Sequence, residues 1–449
     1  KMFDIIIAHN LNYGIGCDGK IPWHCPDDLK LFKKLTMNSV LVVGRKTVES
    51  LPILPGRIVF CISRSTTGPR IFRDLQSALD TAKNDYPEKK IFVAGGGEIY
   101  KLAFTTASKY IDNIHISVIQ DNSRCDIFVL ELSVWINNRG FYSTEIECMT
   151  NASYDLLKRN KAEKQYLTLL SNILHTGDFR QGRNGETKSL FGEHMFFDLR
   201  DGFPLLTTKK MFFRGIVEEL LFFIRGDTNS KLLEEKGVNI WKSNTSRAFL
   251  DKIGKPERSE GIMGPLYGFQ WRHFNAKYDE KSGTCLEKGI DQLSNVVELI
   301  RKDPYSRRIL MSDFNPCQVE DGVLYPCHSI IIQFYVSENY LDMFCYNRSQ
   351  DVFLGTPFNI ASSSLLLILI AAITNLTPRF LYMRLGDVHI YKQHYDNVQE
   401  QITRMPYKFP KLLLKKEVKE ITDLEALTSS DIEIENYKSH PAIKAEMIA

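Results

Sequence analysis

The sequence predicts two folded domains, the first of the α/β class and the second a mixture of helices and strands. A length of 449 residues is long for one domain and comfortable for two or three. The first ~150 residues alternate short apolar runs with amphipathic segments, which is the rhythm of an α/β domain. A polar stretch interrupts this pattern at residues 151–164. We interpret it as a short linker between a domain at 1–150 and a domain at 165–449.

In the first domain, short runs rich in β-branched residues predict five strands. These strands are Ile5–Ala8, Val40–Val43, Ile58–Ile62, Ile91–Ala94 and Ile114–Ile119. Amphipathic segments between them predict three helices, at Asp27–Leu35, Leu75–Lys83 and Glu98–Phe104. The opening run Phe3–Ala8 is typical of a core strand rather than a signal peptide.

In the second domain, apolar periodicity predicts helices at Tyr166–Leu174, Ile216–Ile224 and Ile290–Ile300. A run of β-branched and aromatic residues predicts a strand at Ile330–Val336. The longest apolar stretch, Leu365–Ile373, is too short to span a bilayer and follows three serines. It therefore predicts a buried helix.

Composition excludes several classes of protein. A net charge of +3 is too small to suggest nucleic-acid binding, although the dispersed basic residues suit small polyanionic substrates. The nine cysteines form no CxxC pair and have no zinc-site spacing. They favour reduced thiols in a cytoplasmic protein without a metal. We expect no membrane and no nucleic-acid partner.

Three motifs stand out in the first domain. Gly14-Ile15-Gly16 leads through Ile21-Pro22-Trp23, Gly44-Arg45-Lys46-Thr47 precedes Leu54-Pro55-Gly56-Arg57, and Gly95-Gly96-Gly97 opens a helix. A lone triglycine is more often just a tight turn, and this one does not match the GxGxxG pattern of a Rossmann fold. In this order and spacing, however, the motifs resemble dihydrofolate reductase across the whole domain. The resemblance implies an α/β domain with a central, mostly parallel sheet that reduces dihydrofolate to tetrahydrofolate with NADPH.

Asp27 and Asp28 are the candidate acids of this domain. Acidic side chains in the first turn of a helix also stabilise the positive end of the helix dipole, so these two residues need have no role in catalysis. Helical spacing places Asp28 and Phe32 on one face. The resemblance selects Asp28, with Ser117 standing where the family usually has threonine. It implies that Asp28 orients the pterin and helps deliver a proton to N5, while Arg57 holds the substrate carboxylate.

The resemblance implies further ligand contacts in the first domain, where arginines suit the 2′-phosphate of NADPH and the glycine turn suits its pyrophosphate. The expected NADPH contacts are Ala8, Ile15, Gly16, Gly44, Arg45, Lys46, Thr47, Ser63, Arg64, Gly95, Gly96, Gly97, Glu98, Ile99 and Tyr100. The expected folate contacts are Ile6, Asp28, Leu29, Phe32, Leu51, Arg57, Ala94 and Ser117. Val48 replaces a usual tryptophan, and Val129-Leu130 replaces a usual Phe-Pro.

Cys327 is the candidate nucleophile of the second domain. It lies in Leu324–His328 and is followed by Tyr346–Asp351 and Pro357–Ser362. A lone cysteine is more often buried and inert. A thiol reacts as its thiolate, however, and a nearby guanidinium such as that of Arg348 lowers its pKa. With Phe203–Lys210, Glu218–Leu221, Asp303–Arg308 and Gly386–Tyr391, these stretches resemble thymidylate synthase from Gln165 to Ala449.

This second resemblance implies an α+β domain that methylates dUMP to dTMP with 5,10-methylenetetrahydrofolate. Cys327 would add to C6 of dUMP, and Glu219 would move protons through ordered water. The alternative for an acid at this place is an exposed helix residue without a function, an interpretation that suits Glu218 better than Glu219. Asn359 would pair with the uracil edge and reject cytosine. Placed next to Cys327 in a strand, His328 would point to the opposite face and have a structural or water-ordering role.

Arginines and ribose contacts complete the expected nucleotide site. Arg348 and Ser349 suit phosphate, and the pair Arg307-Arg308 would reach across a homodimer interface into the partner's phosphate site. His389 and Tyr391, alternating along a strand, would address the ribose 3′-hydroxyl. The expected dUMP contacts are Arg183 (or Arg180), Arg307, Arg308, Cys327, His328, Asn347, Arg348, Ser349, Gln350, Asp351, Asn359, His389 and Tyr391; Trp241 and Asp351 would contact the folate. Departures from the family are Asn347 for glutamine, Tyr325 for proline, Phe222 for tryptophan and Ile262 for an acid.

Because it carries both resemblances, the chain as a whole resembles a bifunctional dihydrofolate reductase–thymidylate synthase. Two alternatives stay open. A nucleotide hydroxymethylase or related pyrimidine methyltransferase would share Cys327, but Asn359 favours uracil as the base. A catalytically inactive fold kept as a binding module, such as an RNA-binding protein, is disfavoured by the near-neutral charge and by the presence of Cys327, Arg348 and Asp28.

Overall fold

Contacts within the chain divide it into two units, residues 1–160 and 161–449. The computed structural model describes residues 2–138, 141–182 and 184–447. Each unit has its own sheet and its own hydrophobic core.

An eight-stranded sheet is the centre of the first unit, in the order β5-β4-β3-β6-β1-β7-β10-β9. Pairing is parallel from β5 to β7 and antiparallel for β10 with β7 and β9, so the expected mostly parallel sheet is confirmed. The short strands β2 and β8 pair separately. The strands are β1 (Phe3–Asn10), β2 (Gly14–Gly16), β3 (Val40–Gly44), β4 (Ile58–Ile62), β5 (Ile71–Phe72), β6 (Ile91–Val93), β7 (Ile111–Ile119), β8 (Ile127–Phe128), β9 (Phe141–Cys148) and β10 (Ala152–Arg159).

The helices of the first unit begin at residues that favour helix starts. Pro26 stands in the first turn of α1, and the Asp74 carboxylate caps α3 by accepting a hydrogen bond from the Ser77 amide. The three predicted helices lie within α1, α3 and α4, and the predicted strands match β1, β3, β4, β6 and β7, except that Ala94 lies just after β6. The helices are α1 (Pro26–Thr36), α2 (Arg45–Ser50), α3 (Leu75–Asp85), α4 (Gly97–Thr106) and α5 (Leu132–Asn138).

The segment predicted to be a linker is a strand of the sheet, so this prediction was wrong. Strand β10 pairs with β7 on one side and β9 on the other. Ala152, Tyr154 and Leu157 are buried, and the polar residues between them hid the pattern of a half-buried strand. A register shift between Leu156 and Leu157 further disturbs the alternation. One residue, Asn160, separates β10 from the next helix.

A six-stranded sheet organises the second unit, in the order β11-β12-β18-β17-β16-β15. Its pairings are antiparallel except for β17 with β18. The strands are β11 (Asp178–Gly182), β12 (Gly185–Asp198), β13 (Tyr278–Asp279), β14 (Thr284–Cys285), β15 (Leu310–Met311), β16 (Ile331–Ser337), β17 (Tyr340–Asp351), β18 (Thr377–Tyr391), β19 (Lys411–Leu414) and β20 (Ile432–Glu435). The predicted strand Ile330–Val336 is β16, displaced by one residue.

Helices cover one face of this sheet, which confirms the α+β class. Two of the predicted helices lie within α6 and α7. The third begins at Gln292 rather than Ile290, because Asp291 caps it by accepting from the Ser294 amide. The helices are α6 (Lys161–Thr176), α7 (Phe213–Arg225), α8 (Lys231–Glu234), α9 (Arg247–Lys252), α10 (Gly268–His273), α11 (Gln292–Lys302), α12 (Gly355–Ile373), α13 (Tyr395–Thr403) and α14 (Ile421–Glu425).

Helix α12 is the central helix of the second core. It contains the predicted buried segment Leu365–Ile373 and packs against α7, β17 and β18. Among the residues that the structure describes, it alone is long and apolar enough to cross a membrane, but 72% of its apolar window is buried within the protein. That burial is typical of a core helix.

Candidate active sites

In the first unit the structure separates the two neighbouring aspartates of α1. Asp27 forms an ion pair of 3.4 Å with Lys30, one turn along the helix. Asp28 is hydrogen-bonded to Ser117 on β7, and its burial raises the pKa of its carboxyl group, which the Ser117 bond opposes. Asp28 therefore faces the sheet, whereas Asp27 has the ordinary role of an acid at a helix start.

An apolar cluster lines the region beside Asp28. It includes Ile6 on β1, Phe32 on α1, Leu51 after α2 and Ala94 after β6, all expected folate contacts. Leu29, also expected there, is about half exposed. These side chains form an apolar wall on which a flat aromatic ring can pack, and Phe32 lies about one helical turn from Asp28.

Arg57 lies close to the end of α1. One terminal nitrogen donates to the Thr36 hydroxyl over 3.4 Å, and Nε is buried without a hydrogen-bond partner among the described residues. Burial lowers the pKa of the guanidinium. A partly buried cation with an unused donor suits a carboxylate ligand.

The glycine turn brings the N-termini of α2 and α4 together. The amide of Gly44 donates to the Gly95 carbonyl over 2.7 Å. A Cβ atom on Gly96 would lie 3.0 Å from the Thr47 hydroxyl, and one on Gly97 would lie 3.1 Å from Ile127. The residues here must therefore be small, and the turn leaves backbone amides at the start of α4, where anions bind.

Other expected NADPH contacts surround this turn, although some already have partners. The Arg45 guanidinium forms an exposed ion pair of 2.6 Å with Glu49. The Ser63 hydroxyl accepts from the Thr66 amide within its own loop, and Arg64 beside it is exposed. Tyr100 donates to the Ile6 carbonyl from the core. The remaining expected residues are Ala8 on β1, Ile15 and Gly16 on β2, Lys46 on α2, and Glu98 and Ile99 on α4.

This set of residues fits a phosphorylated dinucleotide. Backbone amides at the α4 start suit a pyrophosphate, while Arg45 and Arg64 supply positive charge for a further phosphate. A separate group, Cys17, Asp18 and Asp126, has the spacing of metal ligands. Because the Asp126 carboxylate accepts from the Asp18 amide, we interpret that group as a link between two loops.

In the second unit, Arg348 holds the loop that carries Cys327. Its Nε donates to the Pro326 carbonyl over 2.7 Å, and Nη2 donates to the Tyr325 carbonyl over 3.0 Å. Burial raises the pKa of the Cys327 thiol, while Tyr267 and Arg348 act in the opposite direction. Burial outweighs the effect of the guanidinium that the sequence suggested, so the net shift of the thiol pKa is upward.

Tyr267, which sequence reasoning missed, contacts both Cys327 and His328. Its hydroxyl lies 3.5 Å from the Cys327 sulfur and accepts from the Cys327 amide over 3.2 Å. Its ring stacks on His328 with the centroids 4.5 Å apart. Tyr267 has a strained backbone φ of 42°. Its setting in Gly264-Pro265-Leu266-Tyr267-Gly268 was the available signal of a special turn.

The expected geometry of His328 was wrong. Cys327 and His328 lie in the loop before β16, so they do not alternate between strand faces, and both reach Tyr267. Burial lowers the pKa of His328 to about 4, which keeps the imidazole neutral at neutral pH. A neutral stacked ring agrees with the structural role that was expected for it.

Glu219 and Trp241 lie beside this group. The indole Nε1 donates to the Glu219 carboxylate over 2.8 Å, and the Trp241 ring lies 5.9 Å from that of Tyr267. Burial raises the pKa of Glu219 to about 7. Glu218 was interpreted from the sequence as an exposed helix acid. It is instead buried and forms an ion pair of 2.7 Å with Lys236.

Asp313 is a second residue that the sequence did not reveal. It is 1% exposed, and neither carboxylate oxygen has a hydrogen-bond partner among the described residues. Burial raises its pKa well above the usual value, against the attraction of Arg348. The negative charge of an ionised Asp313 raises the pKa of both Cys327 and Tyr267. No sequence motif distinguishes it from an ordinary loop aspartate.

Strands β17 and β18 bring the ribose and phosphate candidates together. Their parallel pairing aligns Ser349 with Asp387 and Asp351 with His389. The His389 Nδ1 lies 3.0 Å from Asp387, and its ring meets that of Tyr391 edge-on at 5.2 Å. The Ser349 amide donates to the Cys327 carbonyl over 3.3 Å.

Four further arginines were expected to bind the phosphate of dUMP. Arg180 forms an exposed ion pair of 3.3 Å with Asp387, next to His389. Arg183 lies outside the described residues. Arg307 and Arg308 are both exposed just before β15.

Asn347 and Gln350, both expected to contact dUMP, are buried and hydrogen-bonded within the protein. Asn347 is fully buried and accepts from the Ser329 amide over 2.7 Å. Gln350 is 2% exposed and bonds to Asn359, Thr356 and the Ser349 carbonyl. Alternation along β17 places these two residues, three apart, on opposite faces, and each bonds to a different set of neighbours.

Comparison with known proteins identifies the class of each unit. The family model of dihydrofolate reductase matches residues 2–153, and that of thymidylate synthase matches residues 164–449. The chain is 37% identical over 466 residues to a bifunctional dihydrofolate reductase–thymidylate synthase of Paramecium tetraurelia, covering 100% of this chain and 99% of the relative. Similar proteins of Arabidopsis thaliana (37%, covering 100% of this chain and 96% of the relative) and Leishmania major (35%, covering 100% and 95%) carry the same description.

The chain therefore belongs to the bifunctional dihydrofolate reductase–thymidylate synthases. Its synthase domain methylates dUMP to dTMP with 5,10-methylenetetrahydrofolate and releases dihydrofolate. Its reductase domain reduces dihydrofolate to tetrahydrofolate with NADPH. Neither family implies a metal.

Proposed function

We propose that Cys327 is the nucleophile of the synthase reaction, that Asp28 binds and helps protonate the pterin in the reductase, and that the protein is a homodimer through its synthase domains. The observation that carries the first assignment is the contact of the Cys327 sulfur with Tyr267 in a loop held by Arg348. The thiolate would form a bond to C6 of dUMP, which leaves C5 with the electron pair that takes up the carbon. The C5 proton would then leave to a base, and the bond between the transferred carbon and the folate nitrogen would break as the folate hydride reduces that carbon. Loss of the thiolate from C6 would restore the C5–C6 double bond.

Protein groups near Cys327 suit the proton movements of this reaction. Glu219, with a pKa of about 7, exchanges a proton readily at neutral pH. Glu219 accepts from Trp241, whose ring lies 5.9 Å from that of Tyr267, and the Tyr267 hydroxyl contacts the thiol. The folate co-substrate supplies both the carbon and the hydride, so the remaining steps for these residues are orientation and proton transfer.

In the reductase, the bond between Asp28 and Ser117 supports a role for Asp28 in pterin binding. A carboxylate at the edge of an apolar wall can hold an aminopyrimidine with paired hydrogen bonds. NADPH supplies the hydride. The raised pKa of Asp28 makes it a better proton source for N5 than an exposed aspartate would be.

The exposed face of the synthase sheet supports a homodimer. Register places Phe196, Tyr382, Phe344, Gln333 and Leu310 in one row across five strands. Phe196, Tyr382 and Leu310 are each at least 40% exposed. A row of exposed apolar side chains on a sheet suits an interaction surface, and a second copy supplies the same row.

Arg307 and Arg308 stand at the edge of the same sheet. Both are exposed, and no acidic partner occurs for either among the described residues. Two adjacent guanidiniums without a carboxylate suit a doubly charged phosphate. Across the proposed interface they would bind the phosphate of a nucleotide in the partner's site.

A complementation experiment tests shared sites. A Cys327→Ala chain and an Arg307→Ala/Arg308→Ala chain should each be inactive as synthase alone. After subunit exchange, the heterodimer holds one site with both intact parts, so about one quarter of the parent activity should return. Native mass spectrometry would verify exchange, and the reductase activity of each variant would verify folding. Demonstrated heterodimers without activity would contradict shared sites, and a monomer in sedimentation would contradict the dimer itself.

We also propose a cytoplasmic location. All nine cysteines are free in the structure, which suits a reducing compartment. Fractionation of cells that express the full-length protein would test this assignment.

A further inference from the structure

A chain of hydrogen bonds ends on Asn359, the residue expected to pair with the base in the synthase. Asn359, on the second turn of α12, donates from Nδ2 to the Gln350 Oε1 over 3.0 Å. The Thr356 hydroxyl donates to the same oxygen over 3.0 Å. The Gln350 Nε2 in turn donates to the Ser349 carbonyl over 3.1 Å. The chain therefore begins at a backbone acceptor and ends at the Asn359 amide.

We propose that Gln350 is a positioning residue that fixes the orientation of the Asn359 amide and so makes the synthase select uracil over cytosine. The proposal rests on the role that the resemblance to thymidylate synthase implies for Asn359, namely pairing with the uracil edge. Gln350 acts through Asn359, because it is buried and its own amide is engaged with the protein.

Orientation matters because an asparagine amide has two nearly equivalent settings. In one it offers the oxygen to a ring N–H and the nitrogen to a carbonyl, which matches the N3–H and O4 of uracil. Rotated by half a turn, it offers the reverse pattern, which matches N3 and the amino group of cytosine. An unrestrained asparagine could therefore accept either base.

Gln350 prevents this rotation. A rotated Asn359 would place its oxygen against the Gln350 oxygen, so two acceptors would face each other without a proton between them. Gln350 cannot rotate to compensate, because its oxygen would then face the Ser349 carbonyl. That carbonyl is a fixed acceptor of the backbone, and it sets the direction of every bond in the chain.

Burial strengthens this restraint. Gln350 and Thr356 are at most 2% exposed, and Asn359 is 9% exposed. Water therefore has little access to donate to a misplaced acceptor, so the wrong orientation carries the full free-energy penalty of a buried acceptor without a donor. The Asn359 oxygen has no hydrogen-bond partner among the described residues, so it remains available to a base.

The test is the ratio of kcat/KM for dUMP to that for dCMP, measured by release of tritium from C5-labelled nucleotides. Gln350→Leu removes both the acceptor and the donor at similar volume, and it should lower the ratio roughly 10–100-fold, chiefly through a higher KM for dUMP. Gln350→Glu keeps an acceptor for Asn359, and its buried carboxyl group, when protonated, donates to the Ser349 carbonyl as the amide does. It should therefore keep the ratio within about threefold, whatever its absolute rate. Ser363→Ala, a buried polar change on the same helix, is the matched control and should leave the ratio unchanged.

Two comparisons separate the possible failures. Asn359→Leu should abolish discrimination, and if it does not, the proposed role of Asn359 fails. If Asn359→Leu abolishes discrimination but Gln350→Leu keeps the parent ratio, the positioning role of Gln350 is overturned while that of Asn359 stands. Thermal melting and reductase activity verify that each variant is folded. A Gln350→Glu variant that loses selectivity as Gln350→Leu does would also contradict the proposal, since it retains the acceptor.

Discussion

The indole of Trp241 donates a hydrogen bond of 2.8 Å to the carboxylate of Glu219, a buried acid whose pKa is raised to about 7. The indole has only a donor, so it stabilises the ionised carboxylate and partly opposes the effect of burial. The pair therefore holds an acid that is close to half-protonated at neutral pH, and the Trp241 ring lies 5.9 Å from that of Tyr267.

Glu219→Gln should lower the synthase kcat about 10²–10³-fold, because the amide cannot exchange a proton. Reductase activity should not change. In the parent enzyme, the rate of dTMP formation should show a titration near pH 7 that the variant lacks. A Glu219→Gln variant with parent kcat and an unaltered pH profile would rule out the proton-transfer role.

The same residue predicts a pH dependence of stability. The pKa of Glu219 is higher in the folded protein than the ordinary value of 4.5, so the native state binds more protons between pH 4.5 and about 7. Stability should therefore fall by about 3 kcal/mol as the pH rises through this window, and Glu219→Gln should lack that loss. Urea unfolding of the synthase transition at pH 5 and pH 8 would measure the difference.

Cys327→Ala should abolish dTMP formation and leave NADPH-dependent reduction of dihydrofolate intact, because the two reactions occur in separate folded units. Tritium release from dUMP and NADPH absorbance measure the two activities on one sample. Residual synthesis near the parent level would refute the assignment. Loss of both activities would indicate unfolding.

Asp28→Asn should lower reductase turnover strongly, with partial recovery at low pH, where the substrate arrives already protonated. Asp27→Asn is the matched control one residue away, and its loss of an exposed ion pair with Lys30 should change turnover little. The pH profile of NADPH oxidation distinguishes them. If Asp27→Asn gives the larger defect, the choice between these neighbours is wrong.

Asp313→Asn should shift the ionisation of Cys327 to lower pH. An ionised Asp313 raises the pKa of the thiol and competes with it for the positive charge of Arg348. Removing the acid should therefore lower the midpoint of Cys327 alkylation by roughly one pH unit. Iodoacetamide labelling followed at the Cys327 peptide by mass spectrometry provides the midpoint. Asp313→Glu, which retains the charge, should resemble the parent, and equal midpoints in all three proteins would contradict the coupling.

The sequence was sufficient where a local pattern and a motif coincide. Helical spacing and the family resemblance together placed Asp28 on the face of α1 that meets Ser117. Asp27 was the alternative, and only the structure shows its ion pair with Lys30. The main strands and helices were predictable because their apolar periods are strong.

The sequence was insufficient where tertiary packing decides the role of a residue. His328 was expected to lie next to Cys327 in a strand, but the strand begins only at Ile331. Tyr267 and Asp313 reach Cys327 from segments distant in sequence, and no local pattern reports such proximity. The burial of Gln350 likewise depends on α12 packing over the end of β17.

Strand β10 has a practical consequence for separating the two enzymes. A reductase fragment ended at residue 150 would lack a strand that lies between β7 and β9 in the sheet. The edge of β7 would then present unpaired amides and carbonyls, a surface that promotes aggregation. Expression of a soluble reductase therefore requires the chain through Asn160, and a synthase fragment should begin at Lys161, where α6 starts.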